Sequence, residues 1–241
     1  MSTNGASEKR RQKLLENMRA PNFMRPMGAS FKRVHRRFLE ALNPARYSET
    51  MPPTRSHFPK SETALLIVDA INPFDFPGGQ KLARNALKTA RAIARLAERA
   101  RRVPIPVVFV NDNLGRWRSD CEALIDYCLK PGGPGAEVVE TLRPKKDDFV
   151  VLKSTLSGFH QTPLEAMLRQ GDVKTTVVTG FVAGNCVLFT AAEAYMRDFK
   201  VIVPRDCVVD QTAEEHTDAL KKMQRVLKAR TPVGSAVRFR R

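Results

Sequence analysis

The chain has 241 residues, of which 42% are hydrophobic, so its length suits one α/β domain better than two. Its four cysteines are too sparse for a disulfide scaffold, which favours a reducing, cytoplasmic location. The first residues show no signal-like apolar stretch, and no run approaches the roughly 18 apolar residues that suggest a membrane span, so neither is expected.

The formal net charge of +16 is concentrated at the two ends of the chain. Residues 1–60 hold 13 Lys/Arg and 4 Asp/Glu, residues 221–241 hold 8 and none, and the residues between them are close to neutral. A phosphate-binding domain would be expected to carry its positive field on the folded surface. We therefore interpret the ends as solvated basic arms and favour this over binding to nucleic acid or to an anionic surface.

The first predicted element is a basic amphipathic helix within an otherwise aperiodic N-terminal arm, residues 1–60. Its apolar residues recur at helical spacing, at Phe31, Val34, Phe38 and Leu42. Packing on the domain or on a second subunit is the favoured role for this helix. Membrane association and organelle targeting are the weaker alternatives, because acidic residues interrupt the basic character of the arm.

From residue 62 onward, apolar β-branched runs alternate with helical stretches. The predicted strands cover residues 64–70, 106–112, 148–153, 175–181 and 200–206, and the predicted helices cover 81–102, 121–129, 162–170, 186–199 and 214–230. This order predicts a three-layer α/β fold with a doubly wound, mainly parallel, Rossmann-like sheet. We assign it to residues 61–230, followed by a basic tail, 231–241. A functional crevice is expected at the carboxyl ends of the strands.

Reactive side chains stand at several of these strand ends. Asp69 closes the first predicted strand, Lys153 closes the third, and Cys186 follows the fourth after the turn GFVAGN. Asp112 and Asp206 end two further strands. Singly, a strand-end Asp is more often a loop anchor and a Cys before an apolar helix more often belongs to the core. Their convergence on one edge indicates a candidate site.

The turn around Cys186 favours a reactive thiol. Gly180 and Gly184 allow a sharp strand-to-helix turn, which would place the Cys near a helix N-terminus and lower its pKa. A nearby lysine ammonium would lower the thiol pKa further, and a carboxylate could take the thiol proton and return it to a leaving amine. The residues therefore predict a nucleophile, a cation and an acid/base group.

Three segments of the chain match the motifs of one known family in order, spacing and strand context. They are LLIVDAINPFDFPGG, LKSTLSGFHQTPLEAML and VVTGFVAGNCVLFTAAEAYMRDFKVIVPRDCVVD. Over roughly residues 62–230 the chain resembles the isochorismatase-like cysteine hydrolases. The segment NDNLGRWRSD is similar to a stretch of a largely uncharacterised bacterial branch of that family.

The resemblance implies a role for each matching residue. It makes Asp69 the general acid/base, Lys153 the group that orients and stabilises charge, and Cys186 the nucleophile. It also implies a cis peptide at Phe181–Val182 and an oxyanion hole formed by the N–H groups of Val182 and Cys186. The family usually forms dimers or larger assemblies, so a homo-oligomer, a dimer or a tetramer, is expected.

The chain departs from the family pattern in two places. Ala183 and Gly184 stand where many relatives carry Thr and then Asp or Asn, so the substrate preference of relatives does not transfer directly. The nicotinamidase branch holds a divalent cation through an Asp and histidines soon after the first strand, whereas INPFDFPGG has no His. The histidines lie apart and no CxxC exists, so we predict no catalytic metal and no cofactor.

Several side chains are candidates for substrate binding. Arg116 or Arg118 could hold a substrate carboxylate while Trp117 forms a pocket wall; fastening a loop to a neighbouring subunit is an equal alternative. Phe76 and Phe159 are further candidate walls, although core packing is favoured for either one alone.

The resemblance implies amidase-type hydrolysis of a small-molecule C–N bond through a thioester on Cys186. Cys207 is a secondary candidate nucleophile, which no glycine turn prepares, while Cys121 and Cys128 are expected to pack as small hydrophobes. The alternative function is a catalytically idle scaffold that binds polyanions through its basic ends. Ala183–Gly184 and the long arm favour that alternative.

Overall fold

The computed structural model describes residues 58–115, 118 and 120–239. The predicted amphipathic helix and almost all of the predicted N-terminal arm lie outside the described residues, as do Arg116 and Trp117.

The described residues form one sheet of six strands, all paired in parallel, in the order β3-β2-β1-β4-β5 with β6 also paired to β4. The strands are β1 (Thr63–Val68), β2 (Val107–Asp112), β3 (Phe149–Lys153), β4 (Thr175–Phe181), β5 (Lys200–Ile202) and β6 (Val208–Val209). The chain starts in the middle of the sheet, builds outward to β3, and then returns to the other side of β1. The predicted parallel α/β fold is confirmed, and its switch point lies between β1 and β4.

Helices cover both faces of the sheet. They are α1 (Gly79–Arg102), α2 (Cys121–Leu129), α3 (Gly133–Thr141), α4 (Leu164–Gln170), α5 (Leu188–Met196) and α6 (Ala213–Leu227). Alternate residues of β1 point to opposite sides, because side chains alternate along a strand. Leu66 joins a core cluster with α4, α5 and α6, whereas Leu65 joins one with α1 and α3. Among the described residues, no helix is both long and apolar enough to cross a membrane.

Two elements differ from the predicted pattern. The predicted fifth strand, 200–206, ends at Ile202, and the chain pairs with the sheet again only at β6. Pro204 interrupts it because proline has no N–H to donate to a neighbouring strand. Helix α3 was not predicted, since the Gly and Pro residues at its start indicate a turn; proline is nevertheless well suited to the first turn of a helix.

The last described residues, 231–239, pack on the domain. The Arg99 guanidinium on α1 donates hydrogen bonds to the carbonyl oxygens of Gly234, at 2.8 Å, and Val237, at 2.6 Å. The Val237 side chain is 2% exposed and belongs to the α1 core cluster. The interpretation of the tail as a solvated arm is therefore wrong for residues 231–239. The prediction failed because the basic residues of the tail give no sign that its backbone carbonyl groups accept hydrogen bonds from Arg99, which is distant in sequence.

Arg99→Ala removes both of these hydrogen bonds. We expect the free energy of unfolding to fall by about 1–3 kcal/mol, the range for hydrogen bonds made by a charged donor. Urea unfolding measures this change, and hydrogen exchange should be faster across residues 231–239. Arg91→Ala, at an exposed position of the same helix, is the matched control and should change little. Equal losses in the two variants would contradict the proposed anchoring.

Candidate active site

Three strand ends bring the predicted reactive side chains together. Asp69 directly follows β1, Lys153 is the last residue of β3, and Cys186 lies in a short π-helical turn, Ala183–Val187, after β4. Because all strands run in the same direction, their carboxyl ends share one edge of the sheet. The turn that carries Cys186 and the end of β1 flank the switch point, which is where doubly wound sheets bind ligands.

The Lys153 ammonium contacts both of the other groups. Its Nζ is 2.9 Å from Asp69 Oδ2 and 3.7 Å from Cys186 Sγ. It also donates a hydrogen bond to the Thr155 carbonyl oxygen at 3.0 Å. Lys153 is 1% exposed and Asp69 is 5% exposed, whereas Cys186 is half-buried. Cys186 is thus the most exposed residue of this trio.

The backbone of β2 fixes the Asp69 carboxylate. Oδ1 of Asp69 accepts the N–H of Asp112 at 2.7 Å, and the Asp112 carboxylate lies 3.6 Å from Lys153 Nζ. The Asn111 side chain donates to the Ile71 carbonyl and accepts the Ile71 N–H, both at 2.8 Å. This reciprocal pair holds the chain just after Asp69, whose own φ of 50° lies in the left-handed region. Asn111 is a positioning residue that the sequence analysis missed.

Burial and the ion pair have opposite effects on the pKa values of Asp69 and Lys153. Burial raises the pKa of the Asp69 carboxyl, and the Lys153 ammonium only partly offsets this. Burial by itself would lower the pKa of Lys153. The Asp69 carboxylate and the Cys186 sulfur together have the larger effect and raise this pKa. Lys153 is therefore a fixed positive charge at neutral pH.

The Cys186 thiol is protonated at neutral pH. Burial and the adjacent Asp69 carboxylate raise its pKa to about 12, and they outweigh Lys153, which lowers it. The predicted lowering of the thiol pKa is therefore wrong in sign. The expected cation is in place, but the carboxylate beside it and the loss of solvent have the larger combined effect.

The turn before Cys186 is held from outside by a carboxylate. The Gly184 N–H donates to Asp210 Oδ2 at 2.6 Å, and the N–H groups of Asn185 and Val187 both donate to the Val182 carbonyl. The Phe181–Val182 peptide is cis, as the resemblance implied. Asp210 was missed in the sequence analysis, because an Asp before a helix cap resembles an ordinary turn residue. The oxyanion hole stays a prediction.

The remaining predicted residues lie in different surroundings. Phe159 is 4% exposed and packs against Phe199, with ring centroids 6.0 Å apart, which favours the core role over a pocket wall. Phe76 is half-buried and packs against the α1 core cluster, and Arg118 is exposed. Cys207 is fully buried, unlike the half-buried Cys186, and this lack of exposure does not favour a nucleophile.

Within the part of the chain that the structure describes, no three His, Cys, Asp or Glu side chains are grouped so that they could hold a metal ion. The positive charge beside the Asp69 and Asp112 carboxylates is the Lys153 ammonium. The lack of a catalytic metal stays a prediction.

Comparison with known proteins identifies the family. The model described as "Isochorismatase domain" matches residues 63–234. The uncharacterised isochorismatase family protein YaaI of Bacillus subtilis is 34% identical over 168 residues, which is 70% of this chain and 92% of that protein.

Solved structures share the fold. N-carbamoylsarcosine amidase from Thermoplasma acidophilum is 29% identical, with a TM-score of 0.56 over 73% of this chain and 98% of that one. The pyrazinamidase/nicotinamidase of Streptococcus mutans is 28% identical, with a TM-score of 0.55 over 70% and 99%. With the family model covering most of the described domain, the chain belongs to the isochorismatase family of hydrolases.

Proposed function

We propose that this protein hydrolyses an amide-type C–N bond of a small molecule, with Cys186 as the nucleophile and a thioester as the intermediate. The observation that carries the proposal is the contact of one buried ammonium, Lys153, with both the Asp69 carboxylate and the Cys186 sulfur. A half-buried cysteine beside a proton acceptor and a fixed cation is an arrangement suited to acyl transfer.

Acylation begins from the protonated thiol. Because its pKa is about 12, the sulfur attacks the substrate carbonyl carbon as its proton passes to Asp69. The N–H groups of Val182 and Cys186 are proposed to bind the resulting oxyanion. When the C–N bond breaks, the nitrogen takes the proton from Asp69 and leaves as an amine or ammonia. The acyl group stays on the sulfur.

Deacylation uses the same proton acceptor. Water attacks the thioester carbonyl and gives a proton to Asp69, and the C–S bond then breaks. The proton returns to the sulfur, and the product leaves as a carboxylic acid. Lys153 keeps its proton throughout, and its charge stabilises both the Asp69 carboxylate and negative charge on the sulfur.

Two of the similar solved structures support the amide reaction among those of the family. Two of the similar solved structures are named as an N-carbamoylsarcosine amidase and a pyrazinamidase/nicotinamidase, whose names indicate cleavage of C–N bonds. Isochorismatase proper cleaves a vinyl ether and need not use a cysteine, so the thiol retained here supports the amidase side. Arg116 and Arg118, with Trp117, remain proposed contacts for a substrate carboxylate.

A covalent acyl-enzyme is the first testable consequence. Incubation with p-nitrophenyl acetate should place one acetyl group on the peptide that contains Cys186, as mass spectrometry of the digested protein would show. Hydroxylamine should remove it, because it cleaves thioesters. Cys186→Ala should lose the label, whereas Cys121→Ala, which removes another half-buried thiol, should retain it. Equal labelling of wild type and Cys186→Ala would rule out Cys186 as the nucleophile.

Removing the proton acceptor should affect alkylation and acyl transfer in opposite directions. The Asp69 carboxylate raises the thiol pKa, so Asp69→Asn should lower it and speed alkylation of Cys186 by iodoacetamide at pH 8, about tenfold for each unit of pKa. Acyl transfer should slow by roughly 100-fold or more, the contribution typical of a positioned acid/base group.

The pH dependence provides the control for this experiment. In the wild type the alkylation rate of Cys186 should keep rising up to pH 10 without a plateau, because the thiol pKa is about 12. Asp147→Asn, which removes an exposed carboxylate, should reproduce the wild-type curve. A wild-type plateau below pH 8 would show a thiolate at neutral pH and would contradict the proposed proton transfer to Asp69.

A further inference from the structure

We propose that Asp210 is a positioning residue for Cys186: its carboxylate fixes the nucleophile turn through the backbone N–H of Gly184. The inference rests on the proposed function, because it assigns to Asp210 the placement of the attacking sulfur.

The first support is the geometry of the Asp210 side chain. Asp210 is 6% exposed and directly follows β6. Its Oδ2 accepts the Gly184 N–H at 2.6 Å, and its Oδ1 accepts the Gln211 N–H at 2.8 Å. Both carboxylate oxygens are therefore directed to backbone donors. A charged acceptor makes such hydrogen bonds roughly twice as strong as neutral ones.

The second support is the composition of the turn. Ala183 and Gly184 offer no polar side chain that could fasten the segment before Cys186. Inside the turn, two N–H groups share one acceptor, the Val182 carbonyl, at 3.1 and 3.4 Å. The contact between Gly184 and Asp210 is shorter than either of these. The Asp210 carboxylate thus supplies a contact to the backbone of the turn that the side chains of Ala183 and Gly184 cannot supply.

The third support is the position of β6 itself. This strand has two residues, and its pairs, Gly180 with Val208 and Phe181 with Val209, join it to the end of β4. On the other side of Asp210, the chain enters α6 through a capping box between Thr212 and Glu215. Asp210 therefore lies between β6 and the start of α6, and both elements restrict the position of its carboxylate.

The position of the turn determines where the sulfur lies. Cys186 is two residues beyond Gly184, and its Sγ lies 3.7 Å from Lys153 Nζ. If the Gly184 contact is lost, the sulfur can move away from Asp69 and toward solvent. Its thiol would then behave like an ordinary cysteine, whose pKa is about 8.5.

Asp210→Asn tests this role because an amide has one acceptor oxygen for two N–H donors. Hydrogen exchange at the Gly184 amide should become at least tenfold faster. Alkylation of Cys186 by iodoacetamide at pH 8 should become at least tenfold faster, while its acetylation by p-nitrophenyl acetate should become at least tenfold slower. General loss of the fold would change both rates in these same directions, so urea unfolding should show that Asp210→Asn keeps the unfolding midpoint of the Asp206→Asn control.

Asp206→Asn is the matched control. Asp206 Oδ1 accepts the Gly234 N–H at 2.6 Å, so this variant neutralises a carboxylate that binds a glycine N–H at the same distance, away from the turn. It should leave both Cys186 rates within twofold of the wild type. Gly184→Ala is a second variant: its Cβ would lie 3.1 Å from Asp210 Oδ2 and press against the same contact. It should change the rates in the same directions as Asp210→Asn.

Two results would overturn the positioning role: unchanged Gly184 exchange and Cys186 rates in Asp210→Asn, or equal changes in Asp206→Asn. Failure of the proposed function gives a different result. In that case the wild type would form no acetyl-Cys186, while exchange at Gly184 and alkylation of Cys186 would still decide whether Asp210 fixes the turn.

Discussion

The buried ion pair between Lys153 and Asp69 is the interaction on which the rest of the site depends. Either charge alone would be very unfavourable inside the protein, and removing one partner of such a pair typically costs about 3–5 kcal/mol. Strand β2 lies between the strands that carry the two residues, so the pair bridges two strand spacings, roughly 10 Å. A lysine side chain is long enough to contribute to that bridge, which is why a strand-end Lys on β3 can meet a strand-end Asp on β1.

This pair also determines the state of the thiol. A cysteine beside a lone cation tends to be a thiolate, but the Asp69 carboxylate and the burial of Cys186 together outweigh the ammonium. In the proposed mechanism, the sulfur therefore keeps its proton until a substrate arrives, and Asp69 is the acceptor beside it. The hydrogen bonds from Asp112 to Asp69 and from Gly184 to Asp210 hold the two sides of this arrangement. The proposed mechanism needs Asp69 and Cys186 to be correctly placed, so that proton transfer and attack occur together.

The sequence was sufficient to predict the parallel sheet and the meeting of Asp69, Lys153 and Cys186, because β-branched runs mark the strands and parallel strands end at one edge. It was insufficient for β6, since two residues form no pattern, and hence for Asp210, which directly follows that strand. The thiol pKa was predicted with the wrong sign because burial depends on the whole fold. Helix α3 and the docked C-terminal residues were missed for a related reason: proline and basic residues have local preferences that tertiary contacts override.

Neutron diffraction from crystals at neutral pH tests the central claim most directly, because it locates the exchangeable hydrogens of the site. Deuterium should be found on Cys186 Sγ and three deuterium atoms on Lys153 Nζ, with none on the Asp69 carboxylate. Deuterium on Asp69 with a bare sulfur would mean that the resting site holds a thiolate–ammonium pair. That result would contradict the account in which the thiol gives up its proton to Asp69 only as it attacks.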